Sequence, residues 1–176
     1  MRTLSLAMLL SVPAVAGPLA ERKAGSISVS PAIGPAIVTT GTGDAMFGLF
    51  ADAQYALSPQ LSVGLGMALG FRSGLLMYDV GPQVRFDFKV PSPHVVFARG
   101  ELPFKVWSVT RTTIVGTFTS TTFGLGVPEL GAGYRYFLSD RLGVGGELTL
   151  QPSAFFSNPA GFVFMLDVRL GVELRL

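Results

Sequence analysis

Residues 162–176 read FVFMLDVRLGVELRL. The even positions, Phe162, Phe164, Leu166, Val168, Leu170, Val172, Leu174 and Leu176, are all apolar. The odd positions from 167 onward are Asp167, Arg169, Gly171, Glu173 and Arg175. Alternation with period two is the pattern of a strand with one apolar and one charged face. At about 3.3 Å per residue the stretch reaches roughly 50 Å, ample for a tilted membrane crossing. Alternation alone also fits a soluble sandwich. The deciding question is whether the charged face meets water outside or a closed interior.

Composition narrows the choice. Apolar residues make up 49% of the chain and charged residues 14%, and the mean hydropathy is +0.52. No run of about 20 apolar residues offers a spanning helix. A membrane chain without membrane helices must close a sheet on itself, because hydrocarbon leaves no partner for an edge strand. The one short apolar run, MRTLSLAMLLSVPAVA, has Arg2 before it and Ala14-Val15-Ala16 at its end. It predicts a secretory leader over residues 1–16, cut after Ala16. Residues 17–25, with Glu21, Arg22 and Lys23 and no periodicity, predict a flexible tail. Removing Arg2 with the leader leaves 12 basic residues against the 11 acidic ones, a balance that does not point to nucleic acid. There is no cysteine, hence no disulfide or thiolate chemistry.

Residues 26–176 divide into eight strand-like segments, over 26–38, 45–57, 61–71, 76–89, 95–108, 121–138, 142–154 and 162–176. In the sixth, the apolar phase is Phe123, Leu125 and Val127 upstream, then Leu130, Ala132, Tyr134 and Tyr136 downstream. That switch predicts a bulge at Pro128–Glu129. Pro31, Pro35, Pro82, Pro103, Pro128 and Pro152 all fall inside segments and lack a ladder donor, so bulges or strand ends are expected at each.

Sorted by face, Asp52, Asp79, Asp87, Glu101, Glu129, Glu147, Asp167 and Glu173 all take the polar phase, as do Arg85, Arg99, Lys105, Arg135, Arg169 and Arg175. No charge takes the apolar phase. An apolar face continuous over eight strands is too large to leave in water. The expected fold is therefore an all-β, transmembrane, eight-stranded antiparallel up-and-down barrel, with lipid outside and these fourteen charges inside. Slipping the last strand by one residue would put Asp167, Arg169, Glu173 and Arg175 into hydrocarbon, at about 2–4 kcal/mol for a midplane Arg.

Short turns over 58–60, 90–94 and 139–141 alternate with connections over 39–44, 72–75, 109–120 and 156–161, expected to be longer. Short periplasmic turns and longer outer loops are usual in such barrels, so both termini are expected in the periplasm. Aromatic belts are expected from Tyr55, Phe86, Phe88, Tyr134 and Tyr136 at one rim, and from Phe47, Phe71, Phe123, Phe155 and Phe162 at the other.

The units YALSPQLSVGLG and GYRYFLSDRLGVGGEL, with the alternating C-terminal strand, resemble the small outer-membrane β-barrel family of the OmpA and OmpX type. The resemblance covers about Ser26 to Leu176. It implies a monomer in the bacterial outer membrane, in contact with outer-membrane lipid, whose last strand serves as the signal read by the barrel-assembly machinery. The last residue is Leu176, where the family usually has an aromatic, and no peptidoglycan-binding domain follows in this sequence.

For chemistry, an eight-stranded barrel has an interior that side chains can fill. The inward charges are read as a structural plug of ion pairs. A narrow water or ion path is the alternative, suggested by the small inward residues Gly64, Gly66, Gly143 and Gly145, where the space is expected to be filled by Arg85, Arg135 or Arg175, or by water. His94 is the single histidine and is read as a polar turn residue on the periplasmic side. Barrels of this size that deacylate or palmitoylate lipid A use a histidine near the outer rim, where none is available, so no enzyme is expected. GTGD and GLGMALG lack the spacing and following helix of a phosphate or dinucleotide loop. Dispersed acids without cysteine give no metal site and no cofactor. Residues 109–120, VTRTTIVGTFTS, are either a Thr-rich loop or a hairpin extending two strands beyond the bilayer, with an edge that could accept a partner strand.

Overall fold

The computed structural model describes residues 22–39, 45–156 and 161–176. The leader expected over 1–16, the first part of the tail and the connections over 40–44 and 157–160 lie outside them.

The ladder segments are β1 (Ile27–Val38), β2 (Ala45–Ala56), β3 (Leu61–Arg72), β4 (Leu75–Phe88), β5 (His94–Glu101), β6 (Phe104–Thr113), β7 (Gly116–Gly126), β8 (Glu129–Phe137), β9 (Leu142–Phe155) and β10 (Gly161–Arg175). β5 and β6 are one strand interrupted at Leu102–Pro103, and β7 and β8 are one strand interrupted at Val127–Pro128; β4 and β9 pair with both halves of their neighbours. Eight strands therefore run antiparallel. β10 pairs with β9 and also with β1, Ser28 opposite Arg175 and Val38 opposite Met165, which closes the sheet into a barrel. Closure matters because it leaves no edge unpaired around the wall.

The bulge lies where the phase switch places it. Glu101 faces Glu129, but Phe104 faces Leu125, so two residues of one strand oppose three of the other. The β9 side repeats the mismatch, Ser153 facing Gly126 and Leu150 facing Leu130. The additional residue lets Phe123 and Leu125 stay outside, at 52% exposure each, while Glu129 turns in.

Four of the six prolines do not break their strands. Pro31, Pro35 and Pro82 sit in ladders of unshifted register, while Pro152 keeps register with β10 and lies opposite the bulge on its other side. Each forfeits one donor but keeps its acceptor: the Pro82 carbonyl takes Leu102 N–H at 3.0 Å and the Pro152 carbonyl takes Val127 N–H at 3.1 Å. Pairing by the neighbouring residues of each strand holds the register without that donor. Residues 72–75, expected as a longer connection, form a tight turn at Ser73–Gly74, where Gly74 supplies φ +73°. Phe155, expected in a rim belt, points inward and packs on Trp107 with ring centroids 4.6 Å apart; it shares the inward phase of Gln151 and Ser153.

One end of the barrel carries the chain termini of the wall and the turns after β2, β4 and β8; it is called the turn end below, and the opposite end the loop end. At the loop end, Met46, Met77 and Met165 pack inside the barrel with Ala36 and Leu75, flanked by Trp107, Val38, Val109 and Val163. This apolar cluster lies above the charges. Trp107 is the single tryptophan, so its fluorescence reports on the cluster directly. We expect blue-shifted emission in the folded protein and weak quenching by iodide; quenching as strong as in the unfolded chain would mean that the mouth is open.

Beyond the wall, β6 and β7 continue as a two-stranded hairpin whose tip is Ile114–Val115, 106% and 83% exposed. Residues 109–120 are thus a hairpin and not an irregular loop. Thr110 and Thr119 hydroxyls lie 3.1 Å apart, and Thr112 and Thr117 hydroxyls 3.2 Å, tying successive rungs across one face.

Candidate functional site: the charged lumen

Strand alternation aims every second side chain at the barrel axis, and the fourteen charged residues named from the sequence are all buried, none above 7% exposure. They stack in layers along the axis. At the turn end, Glu173 accepts from Arg85 at 2.8 Å and Arg175 at 3.0 Å, and Asp87 pairs with Arg85 at 2.6 Å. At mid-height, Arg99 reaches Asp52 at 2.9 Å, Glu147 at 2.8 Å and Glu101 at 3.3 Å. Towards the loop end, Lys105 lies between Asp79 at 2.8 Å and Glu129 at 2.6 Å. Arg169 reaches Asp167 at 3.0 Å, and Asp167 also accepts from the Gln151 amide. Arg135 donates to the Tyr134 carbonyl at 3.2 Å.

Neutral groups complete the layers. Gln83 accepts from Arg99 at 3.1 Å, Thr149 donates to Glu147 at 2.9 Å, and Gln151 accepts from Lys105 at 2.9 Å. Such bonds matter because ion pairs taken from water offset their desolvation only when the remaining donors and acceptors are also met.

Several participants carry no signal in the alternation. Arg22, read as part of a flexible tail, enters the turn end from outside the sheet and is 3% exposed. It donates to Glu173 at 2.9 Å, Ser62 at 2.6 Å and Gln54 at 3.3 Å, and lies 3.8 Å from Asp87. Aromatic faces inside the lumen hold the guanidiniums flat: Arg175 is 3.7 Å from the Phe137 ring centre, Arg169 4.1 Å from Phe50, and Phe97 lies between Arg85 at 3.9 Å and Arg135 at 5.1 Å.

The inward glycines make room for neighbouring groups. A side chain at Gly66 would strike the Glu101 carboxylate at 2.5 Å and one at Gly143 the Phe137 ring at 2.9 Å. At Gly64 and Gly145 a Cβ would meet the neighbouring strand's carbonyls at 1.9 Å. The space expected for Arg85, Arg135 or Arg175 is occupied instead by Glu101, Phe137 and backbone.

His94 opens β5 at the turn end, and its Nδ1 lies 2.6 Å from the Tyr134 hydroxyl. Among the described residues no group of three or more His, Cys, Asp or Glu side chains has the arrangement of a metal site. Outside, the wall is apolar all round: Leu65, Leu102, Leu148, Leu150 and Leu170 are each more than half exposed.

No protein-family model and no curated protein matches the sequence. Solved structures do match in fold. Neisserial surface protein A aligns with a TM-score of 0.72 at 15% identity, over 85% of this chain and 97% of that one. The attachment invasion locus protein Ail of Yersinia pestis aligns at 0.59 and 10%, over 86% and 99%. The N-terminal β-barrel domain of Pseudomonas aeruginosa OprF aligns at 0.58 and 12%, over 88% and 100%. The fold is that of the small transmembrane eight-stranded barrels.

Proposed function

We propose that this protein is a bacterial outer-membrane barrel, exported by a cleaved leader, that works as a non-conducting, non-enzymatic scaffold displaying the β6–β7 hairpin at the cell surface. The observation that carries the reading is the filled lumen: three layers of ion pairs beneath an apolar Met–Trp cluster occupy the axis among the described residues, which supports a plug over a conducting path. The hairpin supports the display half of it. An isolated two-stranded ribbon is marginal in water, yet here cross-strand hydroxyl rungs order it beyond the wall, with an apolar tip and free edges suited to a partner. The barrel folds as a monomer in lipid, with β10 as the strand read by the assembly machinery.

Two measurements test this. In planar bilayers the refolded protein gives no steady conductance steps; regular steps would favour the second reading, a narrow channel for ions or small solutes. Trypsin applied to intact cells cuts after Arg111, the one basic residue of the hairpin, leaving an N-terminal fragment identifiable by mass. Cleavage at Lys89 or Arg141 instead would reverse the assigned orientation. A lipid-modifying role finds no support at His94, which is engaged with Tyr134 at the turn end. Incubation with lipid A and mass analysis would expose such an activity if it existed.

A further inference from the structure

At the turn end, where the connection after β2 meets the connection after β4, a cleft of ≈660 Å³ opens beside Arg22. Its size falls within the range of about 300–1,000 Å³ usual for small-molecule sites. Its polar lining comes from Arg22, Gln60, Asp87, Lys89, Ser92 and His94, set against an apolar wall that includes Phe88. The two connections are tied together beneath it, Asp87 N–H donating to the Gln60 carbonyl at 2.7 Å.

Among the cleft's described charged groups, Asp87 is paired with Arg85 at 2.6 Å and Arg22 with Glu173 at 2.9 Å, which leaves Lys89 as its unpaired cation. Lys89 is exposed and makes no ion pair among the described residues. The Arg22 Nε, on a side chain only 2% exposed, lies 3.8 Å from an Asp87 oxygen and has no hydrogen-bond partner among the described residues, although donors on buried cations are ordinarily met. Gln60 and Ser92 add neutral donors. His94, whose Nδ1 is engaged with Tyr134, lines the same cleft.

We propose that this cleft is a binding site for a small organic anion, with the anionic oxygens held between Arg22 and Lys89 and the organic body lying against Phe88. A phosphate monoester and a carboxylate present the same oxygen chemistry to these donors, so the test separates them. His94 is the only histidine in the chain and lines the cleft, so its ring-proton signals in the NMR spectrum are assigned without ambiguity.

The full protein, refolded in zwitterionic detergent at fixed pH and ionic strength, is titrated with glycerol phosphate, with acetate and with chloride. We expect a saturable displacement of the His94 signals by glycerol phosphate, by acetate or by both, and only the small linear drift of a bulk salt with chloride. Lys89→Gln, which touches no partner needed for folding, should weaken that binding by about tenfold, as loss of a charge-assisted hydrogen bond does. Arg22→Gln should weaken it at least as much. The proposal is overturned if neither organic anion saturates the signals, if chloride reproduces the displacement, or if Lys89→Gln binds like the wild type.

Discussion

Glu173→Gln should destabilise the barrel by about 3–5 kcal/mol, the cost of breaking a buried ion pair by removing one partner. The size follows from how much converges on one carboxylate. Arg22 at 2.9 Å, Arg85 at 2.8 Å and Arg175 at 3.0 Å all direct N–H groups at it, and it is completely buried. Glutamine keeps the shape and one acceptor oxygen but removes the charge, leaving three guanidiniums in the lumen with Asp87 as the nearby acid among the described residues. Those cations stay charged, because a guanidinium does not give up its proton in a protein. Urea unfolding of the refolded protein in lipid vesicles measures the loss. A change below about 1 kcal/mol would mean that water reaches Glu173 and that the turn end is not sealed. A double-mutant cycle with Arg22→Ala then apportions the tail's share: if the tail docks as described, the two losses fall well short of adding. Independent losses would place Arg22 outside the network.

The wall of this barrel was legible in the sequence because each strand declares its sidedness locally. Period two leaves no ambiguity at Asp167, Arg169, Glu173 and Arg175, and even the bulge showed as a change of phase between Val127 and Leu130. What could not be read from periodicity is whatever reaches the lumen from outside a strand, or enters it without charge. Arg22 lies in a segment with no alternation, and only arithmetic hinted at it: six cations on the inward phase faced eight acids, an imbalance that a buried interior does not leave uncorrected. Phe50, Phe97 and Phe137 are inward and apolar, so they departed from the rule that greasy residues clothe the outside. Their role emerges only from their stacking against Arg169, Arg85 and Arg175. The prolines misled for a related reason. A missing donor is visible in the sequence, whereas the ladder bonds on either side that make it tolerable are a property of the closed sheet.

The second large effect concerns the outside of the wall and separates a membrane barrel from a soluble one of the same shape. Leu170 is 64% exposed midway along β10, with Arg169 beside it turned inward. Leu170→Arg in a vesicle bilayer should cost about 2–4 kcal/mol, the range for Arg at the midplane of a barrel wall. The same replacement on a water-facing surface would stay within about 0.5 kcal/mol. A depth series makes the test stronger than one variant. Leu174→Arg, nearer the turn end and also outward, should cost less because its guanidinium can reach the headgroups. Position-independent, near-zero losses at both sites would show that the apolar wall faces water, and the sidedness of every strand would then need reassignment. A graded loss, largest at Leu170, fixes which residues meet hydrocarbon and, by the same alternation, why Arg169 must be neutralised inside by Asp167.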